Sequence, residues 1–363
     1  NNTAVGASAL AANTTGADSV AIGSAALAAN TTGDANIAIG RLTLDANTTG
    51  TFNLAVGGVA LGASTTGSYN VAIGGYALDA ATTASYNVAV GYNSLSGNTG
   101  GTQNTALGWG AGLGVTTGGD NTAIGSATMY GGAVTGNDNT AVGREALHVL
   151  TTGSGNVAVG NGAFKALTVG SSNIAVGSLA MDAFTTGDYN VGIGYTALGA
   201  ETTGSSNTAI GSSASATQVG ASNNTSLGRN ALTVNLANNN VAVGMNALTA
   251  NTTGTPNVAV GYAAGDSITT GGQNCLIGNE AGQAITTAGQ TTCIGNASGY
   301  AASAAAESVF LGYAAGVAVT TADDSTLLGW YVAPTLTTGS QNTIVGASAD
   351  VSASGGTKQN VLG

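Results

Sequence analysis

The sequence predicts an all-β fold, a parallel β-solenoid or β-roll of about 22 coils and 17 residues per coil. Three observations carry this. A short apolar segment closed by glycine, as in Asn70-Val71-Ala72-Ile73-Gly74, recurs from Gly6 to Gly363 at 22 anchor glycines. The step is 17 residues, except for 18 into Gly143 and 16 into Gly244. No stretch has apolar residues at helical spacing over 11 or more positions, whereas a fixed period over a whole chain is the mark of stacked repeats. Repeat chains grow in one dimension, so residues 1–363 read as one repetitive domain in spite of their length.

One coil, numbered from its anchor glycine as zero, justifies each element in turn. Position -1 is aliphatic in every copy, and -3 is usually Val, Ile, Leu or Thr. Position -2 is mostly Ala. Residues -3 and -1 share one face of a strand and -2 the other. The expectation is that the β-branched face, Val5, Ile22, Ile39, Val56, Ile73 and Val90, forms the strand core. The alanine face, Ala21, Ala38, Ala55, Ala72 and Ala89, is then an outward apolar stripe that another chain covers, because a strand apolar on both faces is buried on both. From Leu276 to Val361 this position is larger, so whatever covers it must widen there. The glycine permits a sharp bend.

A second apolar pair follows at +3 and +4, as in Ala26-Leu27 and Ala77-Leu78, and is expected to form a second short strand. In several coils the +4 Leu becomes glycine (Gly112, Gly265, Gly282, Gly316) while an aliphatic residue appears at +7 (Val115, Ile268, Ile285, Val319), the volume exchange expected of core positions. Thr-Thr-Gly at +8 to +10 has the chemistry of a second bend. The Asn at -4, present in most copies, suits that bend and also an amide ladder in which each side chain bonds to the next.

Composition excludes several classes of function. There are five Lys plus Arg and the net charge is -11, so no basic stripe exists to track a nucleic-acid backbone. No run of about 18 apolar residues is present to span a membrane as a helix. No signal peptide is visible and the chain does not start with Met, which reads as a processed product or an excised piece. Catalysis needs convergent polar groups, and here they are scattered. His148 is the only histidine, and Glu145, Glu201, Glu280 and Glu307 form no pair. Seven aspartates near the second bend lack a calcium-binding nonapeptide. Accordingly no enzyme, cofactor or metal site is expected. Cys275 at -3 and Cys293 at -2 should face opposite sides and stay unpaired. Tyr69 and Tyr86 occupy one position in neighbouring coils and should stack. Tyr92, Tyr195, Tyr262 and Tyr313 all lie at +1, where exposed rings stiffen the rod or hold sugars. Asn-x-Ser/Thr sequons at Asn13, Asn30, Asn47 and Asn251 fall on one corner and are candidate glycan acceptors.

The Asn-x-Val-Ala-Ile-Gly strand, matched by Asp18-Ser19-Val20-Ala21-Ile22-Gly23 and by Tyr69-Asn70-Val71-Ala72-Ile73-Gly74, resembles the YadA-like head repeats of trimeric autotransporter adhesins. It is also similar to repeat regions of phage tail fibres. The resemblance runs through the whole chain by its strand alone. It implies a left-handed parallel β-roll, trimerising side by side at a cell or virion surface.

The reading that follows is a structural or adhesive extracellular fibre, a cell-surface adhesin or filament subunit. The alternatives are a phage tail-fibre shaft and an ice-binding β-solenoid. A polysaccharide-cleaving solenoid is disfavoured by the missing carboxylate cluster. The expected partners are copies of the chain itself, in a side-by-side homotrimer or an end-to-end filament, and a host surface or glycans. Nucleic acid and membrane are not among them. At about 4.8 Å per coil the rod should be roughly 100 Å long.

Overall fold

The computed structural model describes all residues, 1–363. It is a parallel β-solenoid without helix. Each coil contributes one strand of three or four residues that ends just before the anchor glycine, and there are 22 such strands. The chain divides into two compact units, Asn1–Gly187 and Asp188–Gly363. In the first, β1 (Thr3–Val5) to β11 (Ile174–Val176) pair in chain order where pairings are defined. In the second, β12 (Val191–Ile193) to β22 (Asn360–Leu362) do the same. Register follows the repeat. Val71, Ala72 and Ile73 lie beside Val88, Ala89 and Val90. The odd steps are absorbed without a slip, Thr122 pairing with Thr140 and Thr225 with Val241.

The two strand faces are the reverse of the expectation. Ala21, Ala38, Ala55, Ala72 and Ala89 are all completely buried. Val5 is 58% exposed, Ile22 39%, and Ile39 and Ile73 38% each, while Val56 and Val90 are half-buried. The alanine row is therefore the strand's contribution to the core, and the β-branched row faces outward. The reason is the width of the coil. The opposite wall sends in the buried Leu at +4 (Leu27, Leu44, Leu61, Leu78), and a layer filled by one large side chain leaves room for only a methyl from the strand.

The exceptions obey the same volume rule. At three of the +4 glycines the next strand supplies the bulk: a Cβ on Gly265 would lie 2.6 Å from Leu276 Cδ1, one on Gly299 2.7 Å from Phe310 Cδ2, and one on Gly316 2.8 Å from Leu327 Cδ1. Gly112 is instead followed by Ala123, and a Cβ there would meet Leu95 of the preceding coil. Leu276, Phe310 and Leu327 are fully buried. The larger residues at -2 thus fill space inside the coil, and no widening partner is involved. In another coil the pair is polar on both sides, with the Ser215 and Ser226 hydroxyls 2.9 Å apart. Val115, Ile268, Ile285 and Val319 at +7 are buried as expected and complete the packing.

The segment at +3 and +4 is not a second strand. Its backbone does bond from coil to coil, Leu27 N to Thr43 O at 3.0 Å and Leu61 N to Ala77 O at 2.9 Å. Alternate residues, however, are left-handed: Ala25 and Leu27 have φ of 58° and 50°, Tyr76 and Leu78 58° and 52°. A left-handed residue at +4 is strained unless it is glycine, which gives the Leu-to-Gly exchanges a second cause. At the anchor, Gly74 has φ 139° and lies so close to the Gly91 carbonyl that a Cβ would collide with it.

Both roles expected of the -4 Asn are present. Asn53 Oδ1 accepts from the Asn70 backbone N–H at 3.0 Å and from Asn70 Nδ2 at 3.1 Å, and Asn70 Nδ2 also donates to the Ala84 carbonyl. These asparagines are buried, so each ladder bond also answers a backbone group that water cannot reach.

Candidate functional site: the aliphatic face

The strands position the most conspicuous surface. Their -3 and -1 residues form two outward ranks, Ile37 and Ile39, then Leu54 and Val56, then Val71 and Ile73, and so on. β-Branched side chains suit a pleated surface and make it flat and stiff. Ten coil steps of about 4.8 Å and two ranks about 7 Å apart give a strip on the order of 340 Å² in each unit. That is as large as the apolar patches soluble monomers ordinarily leave open. Thr replaces Val at several -3 positions, Thr105, Thr122 and Thr140 among them, without adding charge. This face is the surface that sequence reasoning assigned to the core; the signal that could have found it is the exchange of volume between +4 and -2.

Aromatic residues occupy the neighbouring corners. Phe52, Tyr69 and Tyr86 form an exposed column with ring centroids 5.3 and 5.1 Å apart and planes within 6°. The expected Tyr69–Tyr86 stack is present, and Phe52 extends it. Among the +1 residues Tyr92 meets Tyr76 edge-on at 5.8 Å, and Tyr313 stacks on Trp330 at 6.1 Å. Tyr195 and Tyr262 are exposed. His148 stacks on Tyr130, itself stacked on Trp109, and its Nδ1 lies 3.1 Å from the Ala127 carbonyl. Glu145 bonds Lys165 at 2.8 Å and Arg144 at 2.5 Å, and these two cations, Lys165 first, hold its carboxyl below the ordinary range.

The sequon asparagines turn into the coil. Asn30, Asn47 and Asn251 are completely buried and Asn13 is half-buried. Their amides form a second internal ladder. Asn30 Nδ2 donates to Asn13 Oδ1 and to the Gly33 carbonyl, both at 3.0 Å, and Asn47 Nδ2 donates to Asn30 Oδ1 at 2.9 Å. The same corner holds Glu201, also fully buried. Its Oε1 accepts from the backbone N–H groups of Thr202, Thr203, Gly204 and Gly220 at 2.8–3.0 Å, and its Oε2 accepts from Gln218 Nε2 at 3.1 Å. A carboxylate with five donors is structural and is not free to react. Glu145, Glu280 and Glu307 lie on other coils.

Cys275 and Cys293 are both free, the first half-buried on the outer face and the second enclosed, where burial and then the nearby Cys275 push its thiol pKa up. The threonines at +8 spend their hydroxyls on the solenoid itself, Thr31 Oγ1 donating to Thr48 O and Thr48 Oγ1 to Thr65 O, both at 3.0 Å. No helix is long and apolar enough to cross a membrane.

No protein-family model matches the chain, and no curated protein matches it.

Proposed function

We propose that this chain is a non-catalytic structural subunit of an extracellular fibre, adhesive at a cell or virion surface, and that it works as a homo-oligomer joined through the aliphatic face. One observation carries the reading: two outward ranks on the strands of each unit, aliphatic or Thr at every position except Cys275 and Asn360, with no charged residue among them. A flat strip only two side chains wide suits packing about a common axis, where each copy covers the faces of its neighbours. The resemblance to trimeric adhesin heads favours three copies. Scarce charge suits such packing, since the contact would vary little with salt. The engagement of the +8 threonine hydroxyls with backbone carbonyls favours a fibre over an ice-binding face, which needs those hydroxyls turned to solvent.

The test is sedimentation velocity over a concentration series, with wild type beside Ile37→Glu/Ile39→Glu. The wild type should sediment as a discrete oligomer, and the double variant as a monomer with an unchanged circular dichroism spectrum. A wild-type chain that stays monomeric at every concentration rules the proposal out.

A further inference from the structure

We infer that the second unit carries a binding trough for a neutral linear glycan, on the corner between the Thr-Thr-Gly bend and the strand. An open cavity of about 420 Å³ runs there across four coils. Its floor is Gly272, Gly289 and Ala306, one wall is Thr253 and Thr270, and the other is Gln273, Gln290 and Glu307.

The floor lacks a set of hydrogen bonds that most coils make, and lacks it at three consecutive coils where the next coil has no side-chain oxygen to offer. Six positions before the anchor glycine, the backbone N–H ordinarily donates to a side-chain oxygen at the same position of the next coil. Ser68 N donates to Ser85 Oγ at 3.1 Å, Ser205 N to Ser222 Oγ at 3.0 Å, Ser222 N to Asn238 Oδ1 at 2.7 Å, and Ala306 N to Asp323 Oδ1 at 2.8 Å. For Thr255, Gly272 and Gly289 the next coil offers Gly272, Gly289 and Ala306, which have no side-chain oxygen. These three N–H groups find no acceptor anywhere in the chain. The same three substitutions that remove the acceptors open the cavity. On the walls, the side chains of Thr253, Thr270, Gln273, Gln290 and Glu307 make no hydrogen bond within the protein either, and all five are exposed. The site is thus a row of donors along the floor, repeated once per coil, between hydroxyls on one side and amides and a carboxylate on the other.

Backbone donors call for acceptor oxygens, and unpaired polar groups bind best to a ligand that answers each of them. Three ligand chemistries supply oxygens in a row. A polyanion is disfavoured, because no Lys or Arg lines the trough, Glu307 does, and the chain carries a net charge of -11. An extended peptide advances about 3.4 Å per residue, out of step with coils about 4.8 Å apart. The sugar units of an extended β-linked glycan repeat at close to the coil spacing. Their hydroxyls accept from the floor and donate to Glu307 and to the Gln carbonyls. The trough lies off the aliphatic face, so this inference stands or falls independently of oligomerisation.

The test uses saturation-transfer NMR and titration of the whole chain with cellohexaose, chitohexaose and laminarihexaose, and with hexagalacturonate as the anionic arm. At least one neutral hexasaccharide should bind and shift the Gly272 and Gly289 amide resonances. Ala306→Ser supplies the missing acceptor for the Gly289 N–H at a position that already has a Cβ, and should weaken binding roughly three- to tenfold. Gln290→Ala should weaken it similarly, and both variants should keep the wild-type circular dichroism spectrum. Four results would overturn the inference: no binding of any neutral probe, binding that neither substitution changes, loss of the fold in both variants with binding retained elsewhere, or tighter binding of the anionic probe.

Discussion

Ala72 and Ile73 are adjacent in one strand and point to opposite sides, so a carboxylate placed at either gives a direct measure of which side is the core. Ala72 is completely buried, as are the +4 leucines of the facing wall. An unpaired carboxyl there folds only when neutral. Holding a glutamic acid of ordinary pKa near 4.3 protonated at pH 7 costs about 2.7 pH units at 1.36 kcal/mol each, or about 4 kcal/mol. The extra atoms in a filled layer add about 1–3 kcal/mol of overpacking. Ala72→Glu should therefore lose about 5–7 kcal/mol, comparable with the whole stability of many domains. Ile73 is 38% exposed, and Ile73→Glu should cost under about 2 kcal/mol of folding while reducing association. The measurement is urea unfolding followed by circular dichroism at pH 7 and pH 4. The introduced carboxyl has a folded pKa above its unfolded one, so its penalty is present above the unfolded pKa and shrinks as pH falls toward 4. Ala72→Glu should accordingly be partly rescued at pH 4, and Ile73→Glu should not. Wild-type stability for Ala72→Glu at pH 7 would refute the inward assignment of the alanine row.

The volume exchange between +4 and -2 predicts strong coupling. Leu276→Ala should cost about 2–5 kcal/mol by opening a cavity, and Gly265→Ala alone should also destabilise, since its Cβ would meet Leu276 at a left-handed position. Together they should cost about 1–3 kcal/mol less than the two separately in a double-mutant cycle, and simple additivity would sink the rule. Glu201→Ala strips the acceptor from four backbone N–H groups and should lose about 3–5 kcal/mol in denaturant titration, with Glu201→Gln losing less. Asp79 is half-buried and its pKa is raised by that burial, so it favours the fold when protonated, below its unfolded pKa, and this contribution is lost as pH rises through the folded value. Asp79→Asn should then raise the melting temperature at pH 7 and have little effect at pH 3; an equal shift at both would exclude burial of the charge as the cause.

The repeat, its register and its single-residue irregularities were legible in the sequence because a solenoid writes one structural period directly as one sequence period. Strand parity was legible too, since -3 and -1 must share a face. The sign of that face was not. Alternation says which residues go together but not which set goes in, and β-branched residues are the usual choice for a core. Here the larger side chain comes from the other wall, a contact between positions that alternation within one strand does not relate. The clue was Leu276, Phe310 and Leu327 each appearing just after a +4 glycine, Gly265, Gly299 and Gly316. The burial of the sequon asparagines was hidden for a similar reason: Asn30 and Asn47 sit in a bend, and a bend ordinarily lies at the surface. In this coil it folds its amides inward to pair with the coils on either side. The trough was invisible until the donors were counted, because Gly272, Gly289 and Ala306 differ from Ser or Asp only by what they fail to offer.

The contact between +4 of one coil and -2 of the next also governs how such a gene can change its length. Repeats gain and lose copies by unequal crossing-over, and nearly identical DNA tracts invite it. A crossover between two coils of the Leu-then-Ala kind joins like to like and leaves every layer filled. A crossover that falls between the codons of Gly265 and Leu276 would set a leucine against a leucine in one product. The amino-terminal coils are in this sense interchangeable parts whose number can drift, whereas the run from Gly265 to Leu327 is inherited as a block. Length variants of this protein in a population should therefore keep the run from Gly265 to Leu327 intact.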